Sequence, residues 1–241
     1  MRYMPPMTDS RELIYGVHPV TEALANPKRK FIRLLATLNA AQRIAGEAKA
    51  AGLEPEIVHP KELDRLAGPD AVHQGLVLEA SPLPQPRLDE IGRTGLVVLL
   101  DQITDPHNVG AIWRSCAAFG VTALIATSRH SPEASGVLAK AASGATEHVP
   151  FVRVTNLSRA MAELKDYGFQ VVGLDSEAPS AISEVVRGGP IALVLGAEGK
   201  GLRHLTRQSC DLLVRLDLDG PIKSLNVSNA AAIALYALSR P

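Results

Sequence analysis

The chain has 241 residues, 46% of them apolar and 21% charged, the balance of a water-soluble globular protein. Its 25 basic and 25 acidic side chains cancel, and they cancel again within residues 1–80 and within residues 81–241, so any nucleic-acid partner must be held by local patches and not by bulk charge. No run approaches the roughly 18 apolar residues of a membrane span. The two cysteines, Cys116 and Cys210, form neither a disulfide framework nor a zinc pattern, which suits a reducing cytoplasm.

In chain order, Met1 to Arg11 carries Pro5 and Pro6 and no apolar core, so it reads as a frayed tail and not as a signal peptide. His18 to Ala25 reads as a helix closed by Asn26-Pro27. Phe31 to Ala36 reads as a strand, and Ala40 to Ala51 as a helix with Gly52 in the C-cap position. A strand at Glu56 to Val58, a helix from Pro60 to Leu66 and a strand from Gly75 to Glu79 complete an α/β unit over residues 12–80. Lys28, Arg29, Lys30 and Arg33 form a basic cluster in it; Arg203, His204 and Arg207 form a second. Either set can be a solvated face or a phosphate contact.

Ser81 to Arg87 carries alternating prolines, which can join neither a helix nor a central strand. Residues 81–93 are therefore expected to link the first unit to a second over residues 94–241. There Leu96 to Leu100 is a continuous apolar run, the mark of a strand buried on both faces of a parallel sheet. Asp105-Pro106 opens a helix that runs to Phe119, with Asp105 as N-cap and Pro106 in the first turn. Strands at Val121–Thr127, His148–Val152, Phe169–Leu174, Ile191–Leu195 and Leu212–Leu216 alternate with helices at Val137–Ala142, Leu157–Tyr167 and Asn229–Ser239. That alternation predicts a doubly wound α/β sheet.

Two strand ends and one helix start carry the chemistry. The run ending at Leu195 stops at Gly196-Ala197-Glu198-Gly199-Lys200-Gly201. Ser224-Leu225-Asn226 places capping side chains before the last helix. Glycines at such an edge let a ligand approach the backbone. The usual dinucleotide, P-loop, nucleophile-elbow and zinc patterns are absent. Arg114, amid Ile112, Trp113, Ala117 and Phe119, needs either a carboxylate or a bound anion.

Asp105-Pro106-His107-Asn108-Val109-Gly110-Ala111-Ile112-Trp113-Arg114, Leu195 to Leu202 and Ser224 to Ser228 resemble, in order, the three motifs of the SpoU/TrmH family. These are RNA ribose 2′-O-methyltransferases of the SPOUT superfamily. Tyr15-Gly16-Val17-His18-Pro19-Val20 and His73-Gln74-Gly75 are similar to the ribosomal-RNA branch of that family. The resemblance implies a C-terminal catalytic domain with a parallel sheet and a trefoil knot, behind a small L30e-like α/β domain; the basic cluster Lys28, Arg29, Lys30 and Arg33 is the expected RNA contact of that domain. The resemblance also implies S-adenosylmethionine as methyl donor, no metal, a homodimer, and a guanosine of 23S rRNA as target. It makes Asn108, Arg114, Glu198, Ser224 and Asn226 the catalytic set, and Leu195, Gly196, Gly201, Leu216 and Leu225 the donor-binding set. Asp217 and Asn229 depart from the family pattern, which usually has a proline and an apolar residue there. A tRNA or other rRNA target, or a non-catalytic role in ribosome assembly, are the alternatives.

Overall fold

The computed structural model describes residues 11–239, apart from 69, 130, 133, 134, 187 and 223. The expected N-terminal tail, up to residue 10, lies outside the described residues. The chain divides into two compact units: Met1–Pro84 with Ala134–Glu147, and Gln85–Glu133 with His148–Pro241.

The first unit opens with β1 (Glu12–Tyr15), α1 (Val17–Ala25), β2 (Phe31–Ala36), α2 (Leu38–Arg43) and α3 (Ala45–Ala50), followed by β3 (Glu56–Ile57), α4 (Pro60–Ala67) and β4 (Leu76–Ala80). Its sheet has the order β1-β4-β2-β3. β4 pairs antiparallel with both neighbours and β2 pairs parallel with β3. The single helix expected over Ala40 to Ala51 is two, because Ile44 leaves the helical conformation (φ −108°, ψ 15°) while staying buried. Gly46, just past the break, lacks the Cβ that stiffens a helix backbone. β1 escapes sequence reading because four residues are too few to establish a period.

The second unit holds β5 (Leu96–Asp101), α5 (Pro106–Ala118) and β6 (Ala123–Thr127). The chain then contributes α6 (Gly136–Ala142) to the first unit. It returns with β7 (Phe151–Val154), α7 (Leu157–Asp166), β8 (Gln170–Leu174), β9 (Ser180–Ala181), β10 (Ile191–Gly196), α8 (His204–Gln208), β11 (Leu212–Arg215) and α9 (Val227–Ser239). The sheet runs β7-β6-β5-β10-β8-β11-β9, and every pairing is parallel. α7 lays Leu157, Ala160, Met161 and Leu164 on the face carrying Val97, Leu99, Ala123, Ile125 and Val194. Alternate strand residues point the other way, and Val98, Leu100, Leu124 and Leu193 are buried there too. α5 packs against α9, and α9 against β10. β7 starts three residues later than expected, since Pro150 has no N–H to give a ladder and Val149 O instead accepts from Trp113 Nε1 at 2.9 Å.

Two sequence expectations about domain limits change. Leu88 and Ile91, expected in the linker, are buried in the core of the second unit. Residues 134–147, expected in the catalytic domain, cluster with the first unit. Arg29 explains the latter. Its guanidinium, 1% exposed, donates from Nη2 to Glu147 Oε1 at 2.7 Å, from Nη1 to Glu12 Oε2 at 2.5 Å and from Nη1 to Ser81 O at 3.0 Å. Asn26 Nδ2 donates to Glu147 Oε2 at 2.7 Å. Burial lowers the Arg29 pKa, but the hydrogen bonds it donates to Glu147 and Glu12 outweigh it, and the guanidinium stays charged. The four-residue basic cluster is thereby corrected: Arg29 is an internal cation. Arg33 is half-buried, donating to Glu79 Oε1 at 2.7 Å, and of the four only Lys28 and Lys30 are exposed.

Candidate active site

β5 and β10 lie side by side with Asp101 opposite Gly196, so their C-terminal ends form one edge. Crevices outside such strand ends are where α/β sheets bind ligands. Beyond Gly196 the chain makes a tight loop, closed by a bridge between Ala197 and Gly201 with Gly201 N donating to Ala197 O at 2.8 Å. Gly199 and Gly201 adopt positive φ (75° and 64°), open to glycine without strain. Gly196 has a different reason to be glycine: a Cβ there would sit 2.2 Å from Gly201 C. Asp101 straps the far side of the loop. Fully buried, it accepts from Arg203 N at 2.9 Å and from Arg203 Nε at 2.6 Å.

A cleft of about 180 Å³ opens beside this loop. Leu195, Gly196, Gly201, Leu216 and Leu225, the five residues expected to hold the donor, all line it, together with Glu198 and Ser224 of the expected catalytic set. Across the edge, Asp105 caps α5 by accepting from His107 N and Asn108 N, both at 3.2 Å. That cap fixes Asn108, whose Oδ1 accepts from Asn226 Nδ2 at 3.0 Å. Ser228 N donates to Asn226 Oδ1 at 2.9 Å, so the oxygen must face the helix and the amide nitrogen must face Asn108. One hydrogen bond thus ties the start of α5 to the start of α9, 118 residues apart in sequence.

Residues 95–236 match the family model described as the SpoU rRNA Methylase family, and residues 13–86 match the one described as RNA 2′-O ribose methyltransferase substrate binding. The chain belongs to the SpoU rRNA methylase family. The 23S rRNA (guanosine-2′-O-)-methyltransferase RlmB of Yersinia pestis is 37% identical over 95% of this chain and 97% of that one. Its counterpart in Coxiella burnetii is 38% identical over 94% of each. Among solved structures, the SpoU methyltransferase AviRb from Streptomyces viridochromogenes in complex with AdoMet aligns with a TM-score of 0.78 at 26% identity, covering 94% of this chain and 88% of that one.

In this SpoU fold the lining fits an adenosine-bearing donor. Leu195, Leu216 and Leu225 offer an apolar slot, and the glycine-rich loop exposes backbone polar groups without side chains in the way. Of the expected catalytic set, Glu198 and Ser224 line the cleft, while Asn226, next to the lining Leu225, and Asn108, bonded to Asn226, stand beside the cleft and Arg114 stands farther off. Six residues beyond Asn108 on α5, it lies about 120° round the helix and roughly 9 Å along it. It is exposed and makes no ion pair among the described residues. Leu174, Asp175 and Ser176, at the end of β8, and Leu218 also line the cleft and were missed. The signal available for β8 was an apolar run stopping at Asp175-Ser176, the same pattern that marked Gly196. Asp101 was missed too, because nothing local in Leu99-Leu100-Asp101 tells of Arg203.

Nucleophilic catalysis by cysteine has no support. Burial pushes the Cys210 thiol up to about 12 and the Cys116 thiol higher still, so neither is a thiolate near neutral pH. Among the described residues no group of His, Cys, Asp and Glu is placed to hold a metal, and no helix is long and apolar enough to cross a membrane.

Proposed function

We propose that this chain transfers a methyl group from S-adenosylmethionine to a ribose 2′-hydroxyl of RNA, with a guanosine of 23S rRNA as the target. The observation that carries the reading is the Asn226–Asn108 hydrogen bond, which unites two of the three motifs beside a cleft lined by every expected donor residue. The names of the 37–38% identical relatives support the RNA and the nucleotide. The intact polar set argues against a non-catalytic relative.

The donor, when bound, supplies an electrophilic sulfonium methyl. The cleft's apolar leucines and the Gly196–Gly201 loop would hold it, placing a methyl donor within reach of a ribose hydroxyl. Asn108, fixed by the Asp105 cap and by Asn226, orients the incoming nucleotide, with Ser224 and Glu198 at the mouth of the cleft. Arg114 brings a guanidinium, which offers hydrogen-bond donors and no acceptor. It acts as a cation that stabilises the developing alkoxide or grips the neighbouring phosphate, and solvent or another group takes the proton.

In this reading the protein works as a cytoplasmic homodimer, with Arg114 of each protomer completing its partner's site. Two features support it: Arg114 stands away from its own cleft, and α9 leaves Ile233 and Tyr236 44% and 47% exposed, Tyr236 lying against Phe119 of α5. The trefoil knot implied by the family resemblance belongs to the same proposal, with the turns at Gly196, Leu216 and Leu225 gripping the donor. The first unit selects the RNA, with Lys28, Lys30 and the half-buried Arg33 as its phosphate contacts.

The test is methyl transfer from labelled donor to 23S rRNA fragments and to tRNA, together with mapping of ribose methylation in RNA from cells lacking the protein. Preferential labelling of the rRNA fragment and loss of one 2′-O-methylguanosine are expected. A preference for tRNA sinks the rRNA assignment, and no transfer to any RNA sinks the enzyme.

A further inference from the structure

A second cavity of the second unit, about 450 Å³, lies outside the donor cleft and shares no lining residue with it. It opens where β6 and β7 end, between the first turns of α7 and α8, and so on the same edge of the parallel sheet as the cleft. We propose that it holds a backbone phosphate of the substrate RNA, a few nucleotides from the methylated ribose. This rests on the RNA methyltransferase reading above and adds a subsite to it.

Charge comes first. Arg129, Arg203 and His204 line the cavity, and no acidic residue does among the described residues. Arg129 is exposed and has no ion-pair partner among the described residues. Arg203 is half engaged: its Nε donates to Asp101 Oδ1 at 2.6 Å, which fixes the plane of the guanidinium and leaves both terminal amino groups for another acceptor. A fork held in place at one end suits a phosphate, whose oxygens match its geometry. Asp101 offsets part of that charge, so Arg129 supplies most of the net attraction.

The second observation is independent. Thr127, the last residue of β6, is 7% exposed and lines the cavity, yet its buried Oγ1 has no hydrogen-bond partner. A buried hydroxyl left unpaired costs about 1–3 kcal/mol, and a ligand oxygen seated against Thr127 would relieve that cost once the side chain turns its hydroxyl toward the cavity. The start of α7 adds a third element. Asn156 Oδ1 accepts from Arg159 N at 3.0 Å, which leaves the N–H groups of Leu157 and Ser158, both lining residues, without an intrahelical partner. Free N–H groups at a ten-residue helix start favour an anion.

Position points to the RNA and not to an unrelated small anion. β6 and β10 are separated only by β5, so the two ligand sites lie two strand spacings apart along the edge, about 10 Å. That is the reach of two to three stacked nucleotides at about 3.4 Å per step. The loop that bounds the donor cleft continues directly into Arg203 and His204. A strand entering the cleft at its target ribose therefore passes over Arg203.

The test uses the full-length protein with Thr127→Val and Arg129→Ala, and sets aside Arg203 because it also holds the donor loop. Affinity for a 23S rRNA fragment is measured across about 50 to 200 mM salt, with donor affinity and melting temperature in parallel. Arg129→Ala is expected to weaken RNA binding by about tenfold and to lower the salt slope by about one, raising KM for RNA far more than it changes kcat. Thr127→Val is expected to weaken RNA binding by about threefold while raising the melting temperature, because it deletes the unpaired hydroxyl. A purely structural threonine would not give that opposition. Wild-type RNA affinity and salt slope in both variants overturn the proposal. So does loss of inorganic phosphate binding with RNA affinity intact, which assigns the cavity to a free anion. These binding arms do not depend on turnover, so a failure of the methyltransferase reading shows separately, as absence of transfer by the wild type.

Discussion

Gly196→Ala tests whether donor binding depends on the closed form of the loop after β10. Gly196 needs no left-handed φ, so the substitution probes crowding and nothing else. The new Cβ would lie 2.2 Å from Gly201 C, 2.4 Å from Gly201 O and 2.4 Å from Leu202 N. These are backbone atoms, so no rotamer change relieves them and the loop must shift by about 1 Å or more. The shift breaks the Gly201–Ala197 bond of 2.8 Å and pulls on the two Asp101–Arg203 bonds. Overpacking costs about 1–3 kcal/mol and a lost neutral hydrogen bond about 1. The Asp101 pair is half exposed through Arg203 and adds little more. A strain of about 2–4 kcal/mol lowers the melting temperature by roughly 4–16 °C in a unit of this size, or less where the loop alone gives way. Donor affinity falls by tenfold or more, since each 1.4 kcal/mol is a factor of about ten. Calorimetry with S-adenosylmethionine and with its demethylated product measures this directly. Asp101→Asn loosens the same loop from its other side, so the two changes together cost less than their sum. Donor affinity of Gly196→Ala within about twofold of wild type would refute the reasoning.

Arg114→Ala should retain fold and donor affinity and lose most methyl transfer, and Arg114→Lys should also be poor because an ammonium lacks the planar fork. Mixing Arg114→Ala subunits with Gly196→Ala subunits should recover part of the activity if each arginine serves the partner's site; no recovery counts against the shared site. Acid stability probes the first unit through Glu79, whose carboxyl is held below its ordinary 4.5 chiefly by the hydrogen bond from Arg33. A carboxyl with a lowered folded pKa contributes stability that is full above its ordinary value and is lost as pH falls through the lower one. Melting of the first unit should therefore decline below about pH 4.5, and Glu79→Gln should flatten that decline.

Local chemistry made much of the site readable. Asp105-Pro106 announces a cap and a first helical turn, and the structure has both. The run Leu96 to Leu100 announces a strand buried on both faces, and β5 sits inside the parallel sheet. Glycine after an apolar run marks the cleft because backbone approach needs it. What stayed hidden depends on partners distant in sequence. Arg29 reads as one of four surface cations, and only Glu147, 118 residues away, makes it an internal one. Asp101 reads as a strand end until Arg203 arrives. The position of β10 between β5 and β8 is likewise a matter of tertiary choice, because every strand here carries a similar apolar run. α8, five residues long, is too short to show a helical period.

The discontinuous first unit changes what a truncation measures. A fragment of residues 85–241 retains Leu88 and Ile91 in the second unit's core and keeps α6 and Glu147, but removes the residues that α6 and Glu147 fold against. In the whole chain Leu138, Ala139 and Ala142 are buried, and Glu147, 1% exposed, is held by Arg29 and Asn26. Without those partners Glu147 takes its hydrogen bonds from water, and Leu138 loses about 1.5–3 kcal/mol of burial. A seven-residue helix has no stability of its own in water. Residues 134–147 should therefore become an unstructured tether between β6 and β7. The sheet tolerates this, since closure entropy rises only slowly with loop length. The fragment is expected to bind S-adenosylmethionine within about threefold of the full chain, a change below about 1 kcal/mol, while amides of α6 exchange at unprotected rates. Leu138→Ala separates this from general damage: it should destabilise the full-length protein by about 2–4 kcal/mol and leave the fragment unchanged. A fragment that loses donor binding, or keeps α6 protected, would show that 134–147 is held by something other than the first unit.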